Sequence, residues 1–104
     1  MKSKIRYSHQ ALRDIDAIVQ YVAFDLNNPE AAKKIVDGIR RSIAILDIFP
    51  ASGARLPSSK YSDGSYRFVK YKSYLAFYLE KDSKVLIVRI VYKKRNYEKL
   101  IPND

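Results

Sequence analysis

Apolar residues recur at helical spacing through the first half of the chain: Ala11, Leu12, Ile15, Ile18, Val19, Val22 and Leu26, with Asp14, Asp16, Gln20 and Asp25 between them. The spacing predicts an amphipathic helix over residues 9–26. Ser8 stands where an N-cap side chain accepts a backbone N–H. Asn27-Asn28-Pro29-Glu30 breaks the pattern and restarts it, because Asn28 can cap and Pro29 at a first helical position forfeits no hydrogen bond. Ala32, Ile35, Val36, Ile39, Ile43 and Leu46 mark a second amphipathic helix, which Pro50 ends. Glu30–Lys34 and Asp37–Arg41 are spaced for i,i+4 pairs worth about 0.2–0.5 kcal/mol each. The short joint folds the two helices into an antiparallel hairpin.

The second half reads as strands. Residues 4–7 suit a short edge strand ahead of the helices, and residues 51–65 form a loop with Gly53, Pro57, Gly64 and five serines. Arg55, Lys60 and Tyr61 in that loop either face a ligand or are ordinary surface residues. Strand-like runs follow at 66–71, 74–80 and 84–92, separated by Lys72-Ser73 and Lys81-Asp82-Ser83, which is hairpin spacing. Residues 96–101 can form a short helical turn before Pro102. The sum is a single α+β domain, a helix hairpin packed on a small antiparallel sheet. Strict alternation along the last strand places Arg89 with Val85, Ile87 and Val91, and Leu86, Val88 and Ile90 on the other face. Both faces of the last two strands are apolar or aromatic, and one hairpin covers only one of them. The expectation is an open sheet face that a protein partner covers.

Charge adds a direction to this picture. The net charge is +9, with 8 Lys/Arg against 6 Asp/Glu in residues 1–50 and 12 against 5 in residues 51–104. Such an asymmetry favours an acidic partner, whether nucleic acid, an anionic surface or an acidic protein segment. Cysteine is absent, which excludes disulfides and thiolate zinc sites. No signal peptide is visible and no apolar run approaches a membrane span, so a cytoplasmic protein without membrane contact is expected.

Several chemistries lack their residues. His9 is the single histidine and reads as a helix-surface residue. No acidic or histidine cluster has metal-ligand spacing, no Gly-rich phosphate loop exists, and no Ser–His arrangement can be built. No metal or cofactor is expected. What remains is arginine, lysine and tyrosine: Arg67, Lys70, Lys72, Arg89, Lys93, Lys94 and Arg95 among Tyr66, Tyr71, Tyr74, Tyr78, Tyr92 and Tyr97. Basic groups neutralise phosphates and rings stack on bases. The same groups suit metal-free RNA cleavage, the cations stabilising charge on the scissile phosphate and a tyrosine or lysine moving the proton. They equally suit an acidic protein segment, or simply a well-solvated sheet. Arg67, Arg89, Tyr92, Lys93, Lys94, Arg95 and Tyr97 are the candidate target-binding residues. For Arg89 the alternative is a buried ion pair with an acidic residue of the first helix.

The order of these features resembles a known family. A short strand leads to a helix hairpin ending in Leu46-Asp-Ile-Phe-Pro50, then Gly53, then Ser65-Tyr66-Arg67 opening a strand. Tyr74-Leu-Ala-Phe-Tyr78 and Ile87-Val-Arg-Ile-Val-Tyr-Lys-Lys-Arg-Asn-Tyr97 complete it. This is similar to the RelE/ParE superfamily of toxins from bacterial type II toxin–antitoxin modules. The resemblance implies a compact toxin neutralised by a cognate antitoxin, with operator DNA bound only through the antitoxin. It also implies one of two targets. RelE-like members cut mRNA on the ribosome, and Arg67, Lys94, Arg95 and Tyr97 would then be catalytic. ParE-like members poison DNA gyrase and are not enzymes. Leu75 stands where RelE-like chains carry an arginine after the tyrosine that opens the penultimate strand. The long hairpin, Arg67, Arg89 and Arg95 match the ParE-like pattern, with Tyr92 in place of its histidine and Asn96 in place of its aspartate. The resemblance therefore points to a ParE-like toxin, with the RelE-like endonuclease as the alternative. A homologue without toxicity that acts only as a binding module is the third reading.

Overall fold

The computed structural model describes residues 4–57 and 64–93. Strand β1, Ile5–Tyr7, leads into helix α1, His9–Val19, which continues as a π-helical turn over Gln20–Asp25. Helix α2, Pro29–Ala44, ends in a 3-10 turn over Ile45–Asp47. Strands β2 (Ala54–Arg55), β3 (Arg67–Tyr71), β4 (Tyr74–Lys81) and β5 (Lys84–Tyr92) follow. The five strands form one sheet in the order β1-β5-β4-β3-β2. The α+β architecture expected from the pattern is thus present, with two additions. β1 joins β5 in parallel, Ile5 opposite Val85 and Tyr7 opposite Ile87, so the sheet is mixed. β2 is a two-residue strand inside the segment expected to be loop, and it pairs with Arg67 and Phe68. The turn expected at 96–101 lies outside the described residues.

Both helix starts form as their caps dictate. The Ser8 hydroxyl accepts from Ala11 N–H at 2.9 Å, and the Asn28 side chain accepts from Ala31 N–H at 3.1 Å with Pro29 behind it. On α2 the ion pair that forms is Lys33–Asp37 at 2.8 Å, rather than Asp37 with Arg41. The Lys33 hydrogen bond pulls the exposed Asp37 carboxyl below its ordinary range, against an opposing effect of desolvation, with the charges of Lys33, Arg41 and Arg40 adding lesser pulls.

The hairpin covers one sheet face. Ala11 and Ile15 of α1, Ile39 and Ile43 of α2, and Leu46 pack on Ala76, Tyr78, Val85, Ile87 and Ile90. Gly38 makes the close approach possible, because a Cβ there would lie 2.1 Å from the Tyr71 ring. Along β5 the simple alternation fails. Phe77 pairs with Arg89 but Tyr78 pairs with Ile87, so Val88 is an extra residue in a bulge. Val85, Ile87 and Ile90 therefore face the helices, while Val88 and Val91 join Leu75 and Phe77 on the opposite face.

That opposite face is not the open apolar surface the sequence suggested. Phe77 is 0% and Val91 4% exposed, and Leu75 and Val88 are also buried. Leu56 and Tyr66, from the segment between α2 and β3, pack against these residues. The expectation that a partner covers the centre of this face is therefore corrected. The exposed large apolar residues lie mainly on the hairpin: Tyr21, Phe24 and Leu26 at its tip, and Ile45, Ile48 and Phe49 past the end of α2. Among the described residues no helix is long and apolar enough to cross a membrane.

Candidate functional site

α1 runs along β5 just where β1 stops. Ser8 N–H donates to Ile87 O at 2.9 Å, extending the ladder by one bond, and its hydroxyl donates to Val88 O at 2.9 Å. Two turns on, Asp14 takes over the strand edge. One Asp14 oxygen accepts from Arg89 Nε at 2.9 Å and from Ile90 N–H at 2.9 Å, and the other accepts from Arg89 Nη2 at 3.1 Å. The side chains of Arg89 and Asp14 are only 15% and 9% exposed. A forked pair of this kind fixes the guanidinium in orientation and neutralises it. Of the two readings open for Arg89, target binding or a buried ion pair with an acidic residue of the first helix, the structure has the ion pair, with Asp14.

Arg67 is engaged as well. Its Nη1 donates to Gly53 O at 3.0 Å. The fully buried Tyr78 fastens the same loop, its hydroxyl donating to Pro50 O at 2.9 Å and accepting from Gly53 N–H at 2.9 Å. Burial raises the Tyr78 phenol above its ordinary 10.0, an effect that Glu80 augments and that the Gly53 bond and the Arg67 charge oppose. The phenol stays protonated at neutral pH and serves as a fastener. A Cβ on Gly53 would sit 2.5 Å from that hydroxyl, so glycine is needed for this close approach.

The remaining candidates lie where β5 leaves the sheet. Tyr92 is partly exposed and meets Tyr74 edge-on, with ring centroids 5.6 Å apart. Lys93 is exposed, and its N–H donates to Ser73 O at 2.8 Å, which ties the end of β5 to the β3–β4 turn. Lys94, Arg95 and Tyr97 lie outside the described residues. The structure thus keeps Tyr92 and Lys93 together at a surface, and separates Arg67 and Arg89 from them as structural groups. His9 is exposed in the first turn of α1, as its position suggested. Among the described residues no group of three His, Cys, Asp or Glu could hold a metal ion. Tyr21 belongs to this end of the molecule, and sequence reasoning passed over it. Its charge, with that of Tyr92, adds to the burial that raises the Tyr74 phenol. Only the run of α1 alongside β5 reveals that neighbourhood.

Residues 5–97 match the model of the family described as the ParE toxin of the type II toxin–antitoxin system parDE. No curated protein matches the chain. Among solved structures, a chain of a chromosomal ParDE toxin–antitoxin system from P. aeruginosa is similar, with a TM-score of 0.68 and 26% identity, covering 85% of this chain and 92% of that one. A chain of the toxin–antitoxin complex RelBE2 from Mycobacterium tuberculosis has a TM-score of 0.59 at 17% identity, covering 88% of this chain and 99% of that one, a likeness of fold.

Proposed function

The chain belongs to the ParE toxin family of type II toxin–antitoxin systems, and from that premise we propose that it arrests growth by poisoning DNA gyrase and is neutralised by a cognate antitoxin. The observation that carries this reading is the family match across residues 5–97. The geometry agrees with a toxin that acts by binding. Arg67, one of the cations an RNA-cleaving site would employ, is engaged with Gly53 O, and Arg89 with Asp14. The Tyr74 and Tyr78 phenols are both pushed upward, foremost by burial, which is the wrong direction for a general base at neutral pH. Target binding then falls to the exit of β5, where Tyr92 and Lys93 are surface residues, and to Lys94, Arg95 and Tyr97 beyond it. For the antitoxin, the exposed Ile45, Ile48 and Phe49 offer an apolar patch on a loop fastened by Tyr78.

Induction of the chain alone in bacteria tests the reading. Growth should stop, thymidine incorporation should fall before amino-acid incorporation does, and co-expression of the antitoxin from the neighbouring gene should restore growth. Arrest with translation failing first and mRNA cut on ribosomes would replace it with the endonuclease. Undiminished growth would leave a binding module.

A further inference from the structure

At the end of the sheet where β3 and β5 finish and β4 begins, the rings form a row. Pairing sets Tyr71 opposite Tyr74, and Tyr74 opposite Tyr92. Cross-strand partners share a face, so three phenol side chains line up across three adjacent strands. Tyr71 is held against α2 at Gly38, and Tyr74 is held by its edge contact with Tyr92. Tyr21, from the π-helical turn, adds a fourth ring, 55% exposed, near enough to Tyr74 to act on its phenol as the 39% exposed Tyr92 does. Two cations flank the row. Lys72 Nζ lies 5.7 Å from the centroid of the Tyr71 ring, and Lys93 is tied by its backbone to Ser73 O. Both lysine side chains are exposed. Glu80 and Asp82 lie at the opposite end of the strands, and Asp14 is consumed by Arg89. Asp25 and Glu30 belong to the neighbouring hairpin tip.

We propose that this end of the molecule is a binding platform for single-stranded DNA, with Tyr21 and Tyr92 stacking on bases and Lys72 and Lys93 on the flanking phosphates. Exposed rings with ammonium groups beside them suit a strand with bases and phosphates in alternation. An acidic protein segment would use the cations and leave the rings idle. The choice of DNA over RNA rests on the gyrase reading, while the platform itself rests on the row of rings and its two lysines.

Fluorescence anisotropy of the full chain with labelled 12-nucleotide DNA, across a salt series, tests the proposal. Binding should weaken about tenfold in Tyr21→Ala, because base stacking is lost, and remain near wild type in Tyr21→Phe. In Lys72→Ala/Lys93→Ala the slope of log affinity against log salt should shrink by about 1.4, at about 0.7 per cation on a single strand. The slope is read for each variant against its own affinity, and a thermal melt identifies any variant that fails to fold. Absence of binding at low salt would overturn the proposal, as would binding indifferent to Tyr21→Ala and to the lysine pair. Tighter binding of the RNA 12-mer, or equal competition by polyglutamate, would overturn it too. The measurement contains no gyrase, so its failure is distinct from failure of the gyrase reading.

Discussion

Asp14 accepts from Gln10, twice from Arg89, and from the Ile90 backbone, so one carboxylate joins α1 to the edge of β5. Removing it leaves a buried guanidinium without its counter-charge, and Asp14→Ala should lower stability by about 3–5 kcal/mol in urea denaturation. Asp14→Leu combined with Arg89→Met removes both charges and should be more stable than Asp14→Ala alone. A double variant less stable than the single one would show that the pair is not the reason for the cost. Gly38→Ala places a methyl group 2.1 Å from the Tyr71 ring and should cost about 1–3 kcal/mol, read as a lower urea midpoint. Tyr7, Tyr74 and Tyr78 are each raised above 10.0, foremost by burial. A raised folded-state value means the folded chain holds these protons more tightly than the unfolded chain. Their contribution to stability is full below pH 10 and falls as pH rises through the folded-state values. Urea midpoints should therefore drop above that pH together with the rise of tyrosinate absorbance. A midpoint that holds until all tyrosines have ionised would contradict it.

At the scale of elements, the loop after α2 is fastened by the Tyr78 hydroxyl to Pro50 O and Gly53 N–H. Tyr78→Phe should cost about 1–3 kcal/mol, since buried backbone groups lose their partner. It should also speed proteolytic nicking between Pro50 and Leu56. Unchanged nicking would mean that the loop is held by Arg67 and Leu56 instead. The caps of both helices, the hairpin break at Asn28-Pro29 and the β3–β5 meander were legible, because each depends on residues close in sequence. The π-helical turn was not, since Tyr21, Val22 and Leu26 continue a helical spacing that a π turn also satisfies. β2 was hidden because its pairing partners, Arg67 and Phe68, lie a dozen residues away. The bulge at Val88 was the costliest omission. β5 is apolar on both faces, so nothing in Ile87-Val88-Arg89 marks where the alternation slips, and the slip exchanges the faces of Ile90 and Val91. The buried second face was equally hidden, because Leu56 comes from a segment that reads as loop and Tyr66 stands at the very start of a strand-like run.

At the scale of the whole molecule, the site is less legible than the fold. Of the residues picked for target binding, Arg67 and Arg89 serve the scaffold, and Tyr92 and Lys93 reach a surface. Charge alone could not separate them, because an arginine in a strand looks the same whether its partner is Asp14 or a ligand. A net charge of +9 suits a protein whose partners are acidic, and it implies that antitoxin and target binding both weaken as salt rises. The most direct test of gyrase poisoning is to incubate the purified chain with gyrase, ATP and supercoiled DNA, then trap cleaved complexes with detergent and protease. The account predicts linear DNA that accumulates with toxin dose and disappears when the antitoxin is added first. Intact DNA at every dose, with mRNA cut when the same preparation meets ribosomes, would contradict it.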